Sequence, residues 1–486
     1  MNKYFLPLVV TILLFACKKD IMENNQSATL HFSNDTIIFD TSFHSIGTPT
    51  QTLTIYNHNK FTVLTDISLN LINGGSFRMN VDGVSGNNHS GIEIPGNDSI
   101  FIFLEVTTNQ NITNDFLLTS NIEFITGSNI QDVKLVSPGR NANFYLPHDN
   151  FFLIENDSIN YKYFSIKGNV TWTNDLPHVI YGYVVIEPYA TLKIEEGSQV
   201  YFHNNSGIFV GNPILISENG NPPQYNGTLI IDGELGNEVI MQGDRLDSWY
   251  ENIPGQWNGI HFLPGSVNSS IDYAIILNGT TAIRADSVAN NSPTVSISNT
   301  IIKNMSSIGI LGQGAKISAY NTVISKCGQY TLACNIGGSY NFTHCTFANY
   351  WNYSSRNNPS ILLNNYYEGA NGNVYVRNLE QANFTNCIID GNLSTEVSFQ
   401  EQEIGTFNYI FDHCLIKIDP TINTDNSHYE SIIINQSPKF ADNKESDFHL
   451  LEDSPSIDAG KTTNILYDIE GNTRNNADIG AFEFIE

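Results

Sequence analysis

Asp272-Tyr273-Ala274-Ile275-Ile276 states a phrase that the chain then repeats. It returns as Ser298-Asn299-Thr300-Ile301-Ile302, Tyr320-Asn321-Thr322-Val323-Ile324, Thr343-His344-Cys345-Thr346-Phe347, Thr385-Asn386-Cys387-Ile388-Ile389 and Asp412-His413-Cys414-Leu415-Ile416. With Ala274, Thr300, Thr322, Cys345, Cys387 and Cys414 as the register, the steps are 26, 22, 23, 42 and 27 residues. A short strand returning at that interval is too tight for a propeller blade and leaves no room for a crossover helix, so it describes the coils of a solenoid. The 42-residue step is two coils, or one coil with a long loop. Strands stacked about 4.8 Å apart place the register residues in one small column. Ile276, Ile302, Ile324, Phe347, Ile389 and Ile416 then form an apolar column facing inward.

Outward from this core, Val184-Val185-Ile186, Ala190 to Phe202, Gly227 to Gly233 and Trp257-Asn258-Gly259-Ile260-His261-Phe262 carry the same character. Here the chain resembles the secreted and lipid-anchored, pectate-lyase-like β-helix proteins of Bacteroidetes type. The resemblance covers about residues 165–486 and implies a right-handed parallel β-helix. Leu450 to Gly460, Asp468 to Arg474 and Ala477 to Glu483 resemble the segment that ends many such proteins. That makes 450–486 the expected cap of the coil. Its Asp458, Asp468, Asp478 and Arg474 look like a site, but short acids beside one arginine suit the backbone groups of an irregular cap.

Before the coil, strands of alternating polarity recur at Thr36–Asp40, Gln51–Asn57, Ile67–Leu71, Ser99–Val106 and Leu117–Phe124. They are divided by Gly74-Gly75, Gly86-Asn87-Asn88 and Pro95-Gly96-Asn97, the pattern of an antiparallel sandwich. The expected fold class is all-β: an immunoglobulin-like β-sandwich over 28–145, then the β-helix over 146–449.

Lys3 precedes an apolar run, Tyr4 to Phe15, too short to span a bilayer as a mature helix and laid out as a secretory signal. Leu14-Phe15-Ala16-Cys17 resembles a bacterial lipobox, which implies removal of residues 1–16 and lipidation of Cys17. Residues 17–27 then read as a tether. Lys18-Lys19-Asp20 is loosely similar to surface-export signals of Bacteroidetes lipoproteins. The expected address is therefore the outer membrane, lipid-anchored and facing the cell surface.

Lys and Arg number 22 against 49 Asp and Glu, a net charge of −27. That argues against nucleic acid and acidic surfaces as partners. A monomer is expected, with a glycan or a surface protein as ligand. Five cysteines follow Cys17, an odd number, so a complete disulfide framework is excluded. Cys327 and Cys334 are close enough to pair, while Cys345, Cys387 and Cys414 serve as small core residues.

Galacturonan hydrolases of this fold carry an Asp-Asp pair, Gly-His-Gly and Arg-x-Lys. None occurs here, and Asn423-Thr424-Asp425 alone is weak. The loop Gly243 to Glu251 holds Asp244, Asp247 and Glu251 beside Arg245, an alternative acid–base or cation site; calcium is the one cofactor such oxygens suggest. The favoured candidates are aromatic: Tyr350, Trp351, Tyr353, Tyr366 and Tyr367 in the 42-residue step, and Trp249. Rings flanked by amides stack on sugar faces and bond hydroxyls. The sequence thus points to a non-catalytic binding or adhesion module, with a polysaccharide lyase or hydrolase and a ligand-free structural protein as alternatives.

Overall fold

The computed structural model describes residues 28–485, apart from 40–41, 44–47, 72–74, 109–115, 141, 148, 156, 214–225, 247–248, 287–292 and 370. The expected signal, the tether and Cys17 lie outside the described residues. Two compact units divide between Ala142 and Asn143.

The first unit is the sandwich. One sheet orders His31–Phe32, Gln51–Asn57, Asp98–Thr108, Gly75–Val81 and Val84–Ser85; the other centres on Asn129–Arg140, Phe116–Thr126 and Val63–Leu71. Alternation along each strand sends Leu53, Ile55, Ile102, Leu104, Ile122, Phe124, Val133 and Leu135 into the shared core. Pro138 and Gly139 remain in strand, paired with Leu117 and Phe116.

The second unit is a parallel β-helix of three sheets, each coil passing through the second, third and first in turn. The first sheet runs from Asn143–Tyr145 to Ile433–Ile434, the second from Asp149–Glu155 to Val397–Gln400, and the third from Asn169–Trp172 to Tyr429–Glu430. Asn143–Tyr145 pairs in parallel with His178–Ile180, so the coil begins three residues before the expected boundary at 146. At the start of the second sheet, Asp149–Glu155 lies antiparallel on Asp157–Ile166 and occupies the edge that a parallel stack leaves open. The 42-residue step is a single coil, because Thr346–Asn349 pairs directly with Ile388–Gly391.

The inward column is in register, Ile276 on Ile302 on Ile324 on Phe347 on Ile389 on Ile416. All six side chains are fully buried. Burying each stabilises the coil by about 1.5–3 kcal/mol. The residue before the small column turns the chain from third sheet to first in one step. Tyr273, Asn299, Asn321, His344, Asn386 and His413 hold that corner at φ 43°, 46°, 46°, 52°, 54° and 51°. Asn tolerates this left-handed conformation best. The small residue that follows caps the strand just ended: the side chains of Thr300, Thr322, Cys345, Cys387 and Cys414 each donate to the carbonyl two residues back. His344 and His413 are therefore corner residues, as Asn299, Asn321 and Asn386 are.

Two expectations fail. Cys327 and Cys334 are both free and buried. They stand on strands of different sheets, Val323–Cys327 and Leu332–Asn335, each packed into the apolar interior. Burial pushes the Cys327 thiol up to about 12. The closing segment does not simply plug the end of the coil but doubles back along the outer face of the first sheet. Phe448, Ile469, Ala481 and Phe482 pack on Val323 and Ala348, while Leu450 and Ile479 pack on Ile388 and Leu415. The reason is in the strands: Ile301, Val323, Ile388, Leu415 and Ile433 point outward there, and an apolar outer column must be covered.

The acids of that segment serve its backbone, as their spacing suggested. Asp468 accepts from the amides of Glu470, Asn472 and Glu483, and Asp478 from those of Asp458 and Phe484. Arg474 pairs with Glu483 and also reaches the corner residue Asn321.

Candidate functional site

The long insertions of the coil enter or leave the second sheet. Residues 244–258 precede Gly259–Phe262, residues 350–360 precede Ile361–Asn364, and the hairpin of Tyr366–Glu368 and Val374–Val376 follows it. Between them lies the outer face of the second sheet. One column runs His261, Arg284, Leu311, Ala333, Leu362, Ser398, and the column beside it runs Asp286, Gln313, Asn335, Asn364, Gln400. At four successive rungs, about 4.8 Å apart, an apolar or hydroxyl position (Leu311, Ala333, Leu362, Ser398) thus stands beside a side-chain amide.

At one end of this floor three charged or titratable groups converge. His261 Nε2 stands 2.8 Å from Asp286 Oδ2, and Arg284 Nε donates to Asp286 Oδ1 at 3.1 Å. Burial would raise the Asp286 carboxyl, but the His261 hydrogen bond and the Arg284 guanidinium outweigh it and hold it below the usual carboxylate range. Burial also holds His261 below the ordinary imidazole value, so at neutral pH it is uncharged. An ionised Asp286 takes the Nε2 proton as its hydrogen bond and leaves the lone pair on Nδ1. Gly259 sets the strand's approach: its φ is +107°, and a Cβ there would lie 1.6 Å from the Thr281 carbonyl oxygen.

At the other end the amides organise one another. Asn364 is buried; its oxygen accepts from the amides of Ile336 and Tyr366, and its nitrogen donates to Gln400 at 3.2 Å. Leu311, Gln313, Asn335 and Ser398 stay half-buried and Gln400 exposed, so the floor offers amide and hydroxyl groups to solvent.

The sequence-derived candidates fare unequally. Trp351 is 5% exposed, its indole against Gly328 and its Nε1 bonded to Ser354. Tyr350 donates to Asp390 and packs on Phe440 and Phe448. Both rings fold back onto the scaffold and present no face. Tyr353 is partly exposed, but its hydroxyl is tied to the Asn252 carbonyl, linking the two loops on one side of the face. Tyr367 is exposed and stacks on Tyr375 at 5.0 Å, while Tyr366 is half-buried. Trp249 is 78% exposed.

The acid–base loop does not converge. Asp244 pairs with the exposed His203 at 2.8 Å, and Arg245 lies over the Tyr250 ring at 3.4 Å. Glu251 is exposed, with its carbonyl taken by Asn278. Asp247 lies outside the described residues. The hydrogen bond to Asp244 raises His203 despite its partial burial.

Sequence reasoning missed the His261, Asp286 and Arg284 group. The signal was present: 261 and 284 are one coil step apart, and alternation in Thr281–Asp286 turns Arg284 and Asp286 to the same side.

Loop 350–360 is held by a buried ion pair. Arg356 Nη2 meets Glu396 Oε1 at 2.6 Å with both side chains at most 1% exposed. Glu396 also accepts from the amides of Ser360 and Leu393.

No family model matches the chain, and no curated protein does. Among solved structures it is similar to the catalytic domain of an α-1,3-glucanase of glycoside hydrolase family 87 in complex with nigerose. That likeness has 11% identity over 80% of this chain and 87% of that one, with a TM-score of 0.23. The sandwich is similar to a PapD-like domain of human CEP192, with 11% identity, 26% of this chain, 96% of that one and a TM-score of 0.18. It is also similar to the N-terminal domain of PorA, with 10% identity, 23% and 97% coverage and a TM-score of 0.19. No chemistry follows from likenesses of this degree.

Proposed function

We propose that the protein is a lipid-anchored cell-envelope module that holds a neutral glycan along the outer face of its second sheet. One observation carries the reading: a floor on which side-chain amides repeat over four successive coils, each beside an apolar or hydroxyl residue. A polymer of repeating hydroxylated and apolar faces matches a surface that repeats both. The exposed Tyr367 and Tyr375 pair at its border supports stacking of a sugar face. The net charge of −27 favours an uncharged polymer over an acidic one. The lipobox-like Ala16-Cys17 supports the anchor.

The test is a titration of the full chain with soluble neutral oligosaccharides, read for binding and for new reducing or unsaturated ends. Saturable binding without product is expected, weakened up to about tenfold in Asn335→Ala, Gln400→Ala and Tyr367→Ala. Unchanged affinity in all three sinks the reading.

A second reading, a carbohydrate-active enzyme on the same face, is favoured by the His261, Asp286 and Arg284 group. A neutral imidazole oriented by a carboxylate is equipped as a general base. Product that disappears in His261→Ala would promote it over the binding module.

A further inference from the structure

We propose that the N-terminal sandwich carries a second, separate site for an uncharged oligosaccharide, on the outer face of its five-stranded sheet. Apolar side chains belong on the inner face of such a sheet, and there Ile100, Ile102 and Leu104 are buried. The outer face of the same strand breaks the pattern. Phe101 and Phe103 stand outward at 49% and 43% exposure, and Tyr56 on the neighbouring strand is 36% exposed. The three share one face as a patch: Phe101 and Phe103 are alternate residues of one strand, and Tyr56, opposite Ser99 on the next strand, is diagonal to Phe101. Alternate residues on a strand are roughly 7 Å apart, so the two phenylalanine rings give adjacent apolar steps. A cluster of exposed aromatic rings marks a binding surface where a lone exposed ring would not.

The polar groups around it define the ligand. A cleft of about 640 Å³ is lined by Thr50, Arg78, Asn80, Phe103 and Glu105, among others. Arg78 donates to Glu105 at 3.1 Å, and Thr50 donates to the other carboxylate oxygen at 2.8 Å. The pair cancels its own charge and so suits neither an acidic nor a basic ligand. It still offers guanidinium donors and carboxylate acceptors to hydroxyl groups. Asn80, directly opposite Phe103, donates to Ser85 at 3.1 Å, while its carbonyl oxygen is shielded from solvent with no donor. Exposed guanidinium and carboxylate groups beside an open ring suit a ligand with hydroxyls on one side and an apolar face on the other. A neutral sugar has both. This site uses none of the residues of the second-sheet face and stands or falls without it.

The experiment is calorimetric titration of the full chain with uncharged gluco-, manno-, galacto- and xylo-oligosaccharides, and with an oligouronate as the charged comparator. A neutral oligosaccharide is expected to bind, and Phe103→Ala to weaken it about tenfold. Phe103→Leu, which keeps an apolar side chain but loses the flat ring, should weaken it comparably with no change in thermal midpoint. In a chain already carrying Asn335→Ala and Gln400→Ala, which weaken the second-sheet face, the Phe103-dependent binding should persist. Equal affinities in wild type and both Phe103 variants overturn the proposal, even if the second-sheet variants lose binding. So do preference for the oligouronate and failure to bind any neutral sugar, which would turn the patch over to a protein partner.

Discussion

The first and second sheets of the coil are woven from the same alternating strands, yet their outer faces are finished in opposite ways. The first sheet turns Ile301, Val323, Ile388, Leu415 and Ile433 outward, and the chain's own last residues cover them. The second sheet turns out His261, Arg284, Asp286, Gln313, Asn335 and Gln400, and here the insertions gather at the margins. The corner geometry explains the division. From Tyr273 to His413 the chain turns from third sheet to first on one left-handed residue, and from Thr300 on its successor caps the strand just ended, which leaves no slack for extra residues. The corners into and out of the second sheet lack this constraint, so loops accumulate there. Loops on a rigid scaffold are where ligands are met.

The sharpest way to break this comparison is to release the loop side alone. Arg356→Ala leaves the Glu396 carboxylate buried without its partner, and should cost about 3–5 kcal/mol in denaturant unfolding of the coil. If the loss is under about 1 kcal/mol, the ion pair does not hold the insertion. On the covered side, Phe347→Ala opens a cavity in the stacked column, and a loss of about 3–5 kcal/mol is expected there too. Of the two, only Arg356→Ala should also loosen loop 350–360, read as faster amide exchange.

A pH titration probes how the closing segment is fastened. His344, bonded to Asn386 and to Thr463 of that segment, is pushed by burial down to about 3. Its folded value is depressed, so the unfolded state binds the extra proton and stability falls as pH drops below about 6.5. His449 behaves in the opposite sense. Its two ring nitrogens meet Asp447 at 2.6 Å and Glu470 at 3.1 Å, and despite partial burial these bonds hold it above its ordinary value. Its contribution is full below about 6.5 and is lost as pH rises through the raised value. The thermal midpoint should therefore peak between the two, with His449→Gln flattening the alkaline side and His344→Asn the acid side. A midpoint independent of pH in the wild type would refute both assignments. The smallest effect expected is from Cys387→Thr. Threonine already occupies the same column at 300 and 322, so the change should stay below about 1.5 kcal/mol by the same unfolding measurement.

These contrasts also separate what was legible in the sequence from what was not. The column of Ile276 to Ile416 could be read because each coil repeats the same burial problem and solves it with the same residue type. The fate of Trp351 could not be read. Whether a ring in a long loop turns out or in depends on Gly328 and Ser354, which are brought to it only by the fold. Asp244 was visible, but its partner His203 lies 41 residues away on the neighbouring coil. The apolar outer face of the first sheet was implicit in Ile301, Val323 and Ile388. Read as a continuous apolar pair with the inner column, it lost the period-two signal that would have called for a cover. His261, Asp286 and Arg284 were within reach had the coil step been applied to the second sheet as well as the first.

The doubled-back tail has a mechanical consequence. In a simple solenoid, tension on the C-terminus peels the last coil first and works inward. Here Arg474 grips Asn321, Lys461 meets Asn386, and Phe482 sits in the apolar cluster with Val323 and Ala348. A pull on the tail is delivered to the middle of the stack, several rungs at once, and those contacts shear together along the coil axis. Loaded in parallel in this way, the contacts are expected to give way in a single high-force event rather than by gradual unravelling.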